Sequence, residues 1–237
     1  MKDRVVRLFP ALCAAVCKTH RQYGMEGGSH SSSHALRVGQ MALRLLDGRQ
    51  AVLAAIAGIV HNADRVVQAK HEDDKCWANV DKRETVRLVK RWLRHVPALT
   101  TDEIDLIVDA VLKHGGPNDA SDTLVLTALR DADRIVNVQL DVVLRSAKQP
   151  IPILDLAHLD RDPTATYRDP KSVIYDLSYM SRLWDPNHPD RDDQYCLRLP
   201  RAMTIAKAHF RRLREFVRII IALNRGDGIR EFLLAQQ

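Results

Sequence analysis

Apolar residues recur at intervals of three and four along most of this chain, and alternation between apolar and polar positions does not recur. That spacing is typical of amphipathic helices and not of strands. The pattern predicts an all-α fold in a single domain spanning residues 1–237. The predicted helices cover residues 4–20, the serine cluster at 31–33 through 46, 50–62, 81–95, 102–114, 120–147 and 194–224, with a short terminal helix beyond 228.

Two segments interrupt this pattern. Residues 63–80 are polar and charged, with the run His71-Glu72-Asp73-Asp74 inside them, and are predicted to form a surface loop. Residues 149–192 hold prolines at 150, 152, 163, 170, 186 and 189. Because proline lacks a backbone donor and restricts the residue before it, we predict an irregular, proline-rich insertion with one or two short helices.

Composition and charge limit the classes of protein to which this chain can belong. Apolar residues make up 46% of the 237 residues and charged residues 28%, which is ordinary for a globular protein. The longest apolar run is about ten residues, short of the roughly 20 that span a bilayer, so a soluble protein is expected. The net charge of +6 fits either a solvated basic surface or attraction for anionic ligands.

The cysteines indicate a compartment. Cys13, Cys17, Cys76 and Cys196 form no Cys-x-x-Cys pair, and no signal peptide precedes them in this sequence. Unpaired thiols of this kind fit a reducing environment, so a cytoplasmic location is expected.

His61 ends the most apolar predicted helix of the chain. Residues 51–60 leave that helix almost no polar face, so His61 is predicted to be buried or to line a cavity. A buried histidine needs a partner for both ring nitrogens, and a metal ion is one such partner. Asp133 lies among aliphatic residues and would be costly to bury alone.

Each candidate also has an ordinary alternative. His34, near the start of an earlier helix, could simply fill space, and Asp133 could form a salt bridge with Arg130 or Arg134. Their order on separate helices favours a shared site, because helical bundles build metal sites from inward polar groups on several helices. Two imidazoles and a carboxylate suit Mn, Fe, Co, Ni or Zn better than calcium.

Four short motifs follow one another in a recognisable order. They are His30-Ser31-Ser32-Ser33-His34-Ala35-Leu36-Arg37-Val38, Ala57-Gly58-Ile59-Val60-His61-Asn62, Val111-Leu112-Lys113-His114 and Asp131-Ala132-Asp133-Arg134. This order resembles the HD-domain superfamily of metal-dependent phosphohydrolases, with its "LLHD" helix and closing "DADR". The resemblance covers about residues 5 to 225 and implies an HD-domain-like multi-helix bundle.

The resemblance implies a set of metal ligands. By position, His34, His61, Asn62 and Asp133 fill the four ligand slots, with Asp131 as the fallback. The metal would be Mn, Fe, Co, Ni, Mg or Zn, and its identity is left open. In such enzymes the metal activates a water that attacks phosphorus, or polarises the phosphoryl oxygen.

Further residues are candidates for the chemistry. His114 lies where family members place a histidine near the phosphate. Lys113, Arg65 and Lys148 could neutralise charge on a leaving phosphate, with solvent exposure as the alternative for each. Asp64 would reach the site only if the preceding helix ended and the chain turned back. The expected function is a metal-dependent phosphohydrolase acting on a nucleotide or another small phosphoester.

Asn62 departs from the family's His-Asp doublet. Its neutral amide removes one negative charge from the ligand set and cannot accept a proton from water. The alternative is therefore a catalytically silent HD fold that binds a nucleotide or a protein partner.

A basic surface on the last long helix suggests a third class of partner. The helix over 194–224 carries Arg201, Lys207, Arg211, Arg212, Arg214 and Arg218. Without interleaved aromatic residues or a recognisable module, nucleic acid is not expected as a partner. No membrane partner is expected either, and the oligomeric state is left open.

Overall fold

The computed structural model describes residues 4–26, 30–71, 80–137, 179–188 and 191–224, with residues 213, 214 and 216–224 described by their backbone only. These residues form nine α-helices and no strand, which confirms the predicted all-α fold. The helices are α1 Arg4–Leu8, α2 Pro10–Gln22, α3 Ser32–Leu45, α4 Gly48–Val60, α5 Ala63–Lys70, α6 Lys82–Leu93, α7 Thr101–Lys113, α8 Leu124–Val136 and α9 Pro200–Asn224. Short 3₁₀ turns occupy Tyr179–Leu183 and Asp193–Tyr195.

The chain divides into two compact units. The first comprises Met1–Asn137 and Asp193–Met203, and the second Val138–Asp192 and Thr204–Gln237. In the second unit, Trp184 meets Phe210 edge to face, with ring centroids 5.5 Å apart. A single domain with an irregular insertion over 149–192 stays a prediction, since most of that segment lies outside the described residues.

The predicted first helix over 4–20 is two helices. Proline cannot donate a backbone hydrogen bond, and inside a helix its ring collides with the preceding turn, but it is well suited to a first helical position. Pro10 therefore starts α2, and the chain breaks at Phe9 between α1 and α2. The carbonyl of Phe9 accepts a hydrogen bond from the Cys13 N–H at 2.9 Å.

The predicted loop over 63–80 begins as a helix. α4 ends at Val60, His61 and Asn62 turn the chain, and α5 follows at once over Ala63–Lys70. Only Ala63, Val66 and Val67 of α5 are buried, which is too short an apolar pattern to indicate a helix from the sequence. Residues 72–79 of the predicted loop lie outside the described residues.

The core of the first unit forms where α3, α4 and α8 pack together. α4 is buried along residues 53–60, as its apolar sequence predicts. Two glycines let α3 and α4 touch backbone to backbone, since a Cβ added to Gly58 would lie 2.7 Å from the Cα of Gly39. This close approach brings the start of α3 near the end of α4.

The later helices begin at recognisable caps. Thr100 and Glu103 form a capping box that starts α7, and the Thr123 side chain accepts a hydrogen bond from the Leu126 N–H at the start of α8. The predicted helix over 194–224 begins later, at Pro200, because Asp193–Tyr195 forms a 3₁₀ turn. The described part of the predicted helix over 120–147 is α8, and residues 138–147 lie outside the described residues. No described helix has both the length and the apolar character needed to cross a bilayer.

Candidate metal centre

His34 is held in the first turn of α3 with its ring turned into the protein. The Ser31 side chain caps this helix by accepting a hydrogen bond from the His34 N–H. The side chain is only 2% exposed, and its Nε2 lies 3.0 Å from Oδ1 of Asp133 on α8. α3 and α8 pack directly against each other, so this contact joins two main helices of the core.

His61 is the residue that ends α4, and its backbone contact defines its tautomer. Its Nδ1 lies 2.7 Å from the carbonyl oxygen of Gly58. A carbonyl can only accept, so Nδ1 carries the proton and donates it, and the neutral ring keeps a lone pair on Nε2. That Nε2 lies 3.8 Å from Oδ1 of Asp133.

The three side chains converge as the sequence predicts. One ligand atom each from His34, His61 and Asp133 lies within 4.8 Å of the other two. The predicted alternative for Asp133, a salt bridge to an arginine of its own helix, is not formed. Arg130 pairs with Asp122, and the guanidinium of Arg134 donates to Asn118 Oδ1 and to the carbonyl of Cys196.

Burial and neighbouring groups set the protonation states of His61 and Asp133. Burial lowers the pKa of His61 to about 3, so its imidazole is neutral at physiological pH. Burial acts to raise the pKa of Asp133, but the hydrogen bond from His34 and the neighbouring imidazoles outweigh it and lower that pKa. Asp133 is therefore an anion beside a neutral histidine.

The arrangement fits a cation on chemical grounds. The lone pair of His61 Nε2 faces an anionic oxygen of Asp133, so two acceptors oppose each other without a proton between them. His34 Nδ1 is also buried without a hydrogen-bond partner among the described residues. Two imidazoles and a carboxylate of this kind match the donor preferences of a divalent transition metal.

Two further histidines extend the cluster on either side. The His114 ring lies 5.2 Å from the His61 ring between centroids, and the His30 ring lies 6.3 Å from that of His34. The Nδ1 of His114 donates to the Val111 carbonyl at 2.6 Å, which leaves its Nε2 for other partners. Burial lowers the pKa of His30 to about 4. The sequence signal for His30 was its position at the start of the motif that contains His34.

A cavity of about 220 Å³ opens beside the cluster. Its lining includes His114, and it also carries the charged side chains of Asp64, Arg65 and Lys82. Asp64 reaches the cavity because α4 ends before it and the chain turns back. Sequence analysis gave this turn as the requirement for Asp64 to reach the site. Oδ2 of Asp64 lies 3.7 Å from Nε of Arg65. Sequence analysis missed Lys82, which begins α6 within the helix predicted over 81–95, because nothing in that pattern links it to the histidines.

Asn62 is buried beside His61, but its described contact is with the backbone. Its Nδ2 donates to the carbonyl oxygen of His30 at 3.3 Å, and this bond ties the α4–α5 turn to the start of α3. A role for Asn62 as a fourth ligand stays a prediction.

Other candidates lie elsewhere. The ammonium of Lys113 pairs with Asp109 at 2.8 Å on the exposed face of α7. Asp131 is fully buried, and its Oδ2 accepts hydrogen bonds from the backbone N–H groups of Arg198 and Leu199 at 3.0 and 2.8 Å. Burial raises the pKa of Asp131, against the effect of those two hydrogen bonds. Asp131 thus fixes the chain before α9, while Lys148 lies outside the described residues.

No family model matches this chain, and neither does any of the curated proteins or solved structures with which it was compared.

Proposed function

We propose that this protein is a metal-dependent phosphohydrolase acting on a nucleotide or another small phosphoester. The observation that carries the proposal is the convergence of His34, His61 and Asp133, from separate segments, beside a cavity whose charged lining is Asp64, Arg65 and Lys82. The proposal includes membership of the HD-domain superfamily, which rests on the order of the sequence motifs.

His34, His61 and Asp133 would hold the metal. The protonated Nδ1 of His61 is held by the Gly58 carbonyl, so Nε2 is oriented for coordination in the way that outer hydrogen bonds commonly orient metal-binding histidines. A divalent Mn, Fe, Co, Ni, Mg or Zn ion bound there supplies Lewis acidity for activating water and polarising a phosphoryl oxygen.

The cavity supplies the features that a phosphate group needs. Arg65 and Lys82 offer positive charge, and His114 faces both the cavity and the metal-binding histidines. These groups would bind and orient the phosphate and offset negative charge that grows during hydrolysis. Asp64, which lines the same cavity, would accept a proton from the attacking water.

The decisive experiment measures metal and activity in matched variants. The intact protein, purified without chelator, is analysed for bound metals and screened against nucleotides and phosphoesters with Mn, Co, Ni and Mg. We expect close to one metal per chain and hydrolysis of at least one phosphoester. His61→Ala should lose both, whereas His95→Ala, which removes an exposed histidine outside the cluster, should lose neither.

Two results would overturn the proposal. One is a protein that binds no metal under any of these conditions. The other is activity that persists in His61→Ala at the level of the His95→Ala control.

The contact of Asn62 favours a second candidate, a catalytically silent fold that binds a nucleotide or a protein partner. Its amide donates to the His30 carbonyl, a bond that a carboxylate could not make. This candidate predicts stabilisation of the protein by its ligand without turnover. Thermal unfolding with and without each nucleotide, alongside the hydrolysis screen, separates the two candidates.

A further inference from the structure

A second cavity, larger than the one beside the metal centre, lies between α5 and α6. Its volume is about 380 Å³, within the range typical of small-molecule sites. Tyr23, at the end of α2, completes its wall. It shares no lining residue with the cavity that contains His114, so the two are distinct sites on the first unit.

Three arginines line this cavity from one side of α6. Arg87, Arg91 and Arg94 follow one another at intervals of four and three residues, which places them on the same helical face. All three are exposed, and none forms a hydrogen bond or an ion pair through its side chain with any residue that the structure describes. Like charges at this spacing repel one another, so the stripe weakens the helix unless an anion binds it.

Two other charged residues of α6 already have ion-pair partners. Lys90, on another face of the same helix, pairs with Asp105 at 2.9 Å. Glu84 is the carboxylate closest along the helix to the arginine stripe, but it is already bound by Lys70 and His71. These two partners lower the pKa of Glu84 to about 2, so its carboxylate is ionised at neutral pH and pairs with them. The stripe therefore keeps its positive charge.

Besides the arginines, the cavity is lined by the ion pair of Lys70 with Glu84 and by uncharged side chains. Val66, Val67 and Leu88 form a buried apolar floor, and Tyr23 adds an aromatic ring at the wall. An inorganic anion alone would leave this floor uncovered. A ligand with several negative charges at one end and a flat or apolar group at the other would use both parts of the cavity.

We propose that this cavity is a second ligand site, which binds a nucleoside polyphosphate. Arg87, Arg91 and Arg94 hold the phosphates through charged hydrogen bonds, and guanidinium groups suit phosphate oxygens in geometry as well as in charge. The base lies against Tyr23 and the apolar floor. This site needs no metal at the histidine cluster and stands independently of the proposed hydrolysis.

Calorimetric titration of the intact protein tests the site, with adenosine 5′-(β,γ-imido)triphosphate and inorganic triphosphate as the two probes. Arg87→Gln/Arg91→Gln should weaken binding of the nucleotide probe about 100-fold or more, because it removes two charged hydrogen-bonding groups. Arg44→Gln/Arg83→Gln changes the net charge equally at exposed positions outside the cavity and should bind as the unmodified protein does. A further variant, His61→Ala, should retain the site.

Each other outcome would overturn the assignment. Equal loss in both double variants would mean a general attraction of the basic protein for anions. Inorganic triphosphate binding as tightly as the nucleotide would remove the role of the apolar floor, and tighter binding of a single-stranded oligonucleotide would indicate a nucleic-acid surface. Binding that appears only after Glu72, Asp73 and Asp74 are neutralised would identify the protein's own acidic segment as the occupant.

Discussion

Replacing Gly58 with alanine tests how the candidate metal centre is assembled. The new Cβ would lie 2.7 Å from both Cα and N of Gly39 and 3.0 Å from the carbonyl carbon of Val38. All three are backbone atoms, so no side chain can rotate away. Carbon atoms in contact prefer about 3.5–4.0 Å, so α3 and α4 must separate by about 1 Å.

The free energy of unfolding should fall as a result. Overpacking of this kind costs about 1–3 kcal/mol, and a rigid backbone contact belongs at the upper end. Alanine recovers about 1 kcal/mol through its higher helix propensity. The net loss is about 2 kcal/mol, which for a chain of this size lowers Tm by about 4–8 °C.

Metal affinity should fall with it, because His34 belongs to α3 and His61 directly follows α4. Metal–ligand distances tolerate errors of about 0.2 Å, so a shift of about 1 Å between these helices should weaken binding about 10-fold or more. Circular dichroism melting and metal titration measure the two effects.

The control is Gly115→Ala, where an added Cβ meets nothing within 4 Å. Its Tm should stay within about 2 °C of the unmodified protein. If Gly58→Ala melted at or above the temperature of this control, with unchanged metal affinity, the close contact of α3 and α4 would not position the histidines.

Three further predictions concern other residues. His114→Ala should leave metal content nearly intact but lower phosphoester turnover about 100-fold; loss of the metal as well, in elemental analysis, would place His114 among the ligands. Asn62→Asp should lower the Tm of the metal-free protein, because a carboxylate would then face the His30 carbonyl, and should tighten metal binding by adding a negative charge; weaker binding in a metal titration would exclude position 62 from the metal's surroundings. His20 is fully buried against Trp92, and burial lowers its pKa below the ordinary 6.5, against smaller raising effects from the Val16 carbonyl and Glu26. Below about pH 6.5, His20 is therefore protonated in the unfolded chain but stays neutral in the folded protein. The free energy of unfolding consequently decreases as the pH falls below that value. Denaturant unfolding at pH 7 and at pH 5 measures this effect. The free energy of unfolding should decrease less between these two pH values for His20→Phe than for the unmodified protein, and an equal decrease would contradict the prediction.

The all-α fold and the convergence of His34, His61 and Asp133 could be predicted from the sequence. The long apolar run before His61 left no doubt that this helix is buried, and a buried imidazole requires partners. His34 and Asp133 were singled out together with His61 by the order of their motifs on separate predicted helices, as the resemblance implies. The burial of His61 could be predicted because it depends only on the apolar pattern of one helix.

Other features depend on a single contact between distant segments, which a pattern along one helix does not reveal. Asp131 and Asp133 are equally polar in sequence, but only the packing of the segment before α9 assigns Asp131 to backbone amides. The amide of Asn62 donates to the His30 carbonyl on a different segment, and Lys113 pairs with Asp109 on the exposed face of α7, the alternative left open for it. The short helix α5 was missed because neighbouring helices, and not its own weak pattern, stabilise it.

The bonds of Asp131 also affect how the protein is made. Its donors are the amides of Arg198 and Leu199, so the first unit is closed by residues that follow 138–192 in the chain. At translation rates of roughly 5–20 residues per second, the ribosome needs about 3–11 s to synthesise that interval. During this time the nascent bundle holds a carboxylate whose donors do not yet exist. A fragment that ends at residue 137 would be arrested in the same state, so any minimal version of this unit must include residues 193–203.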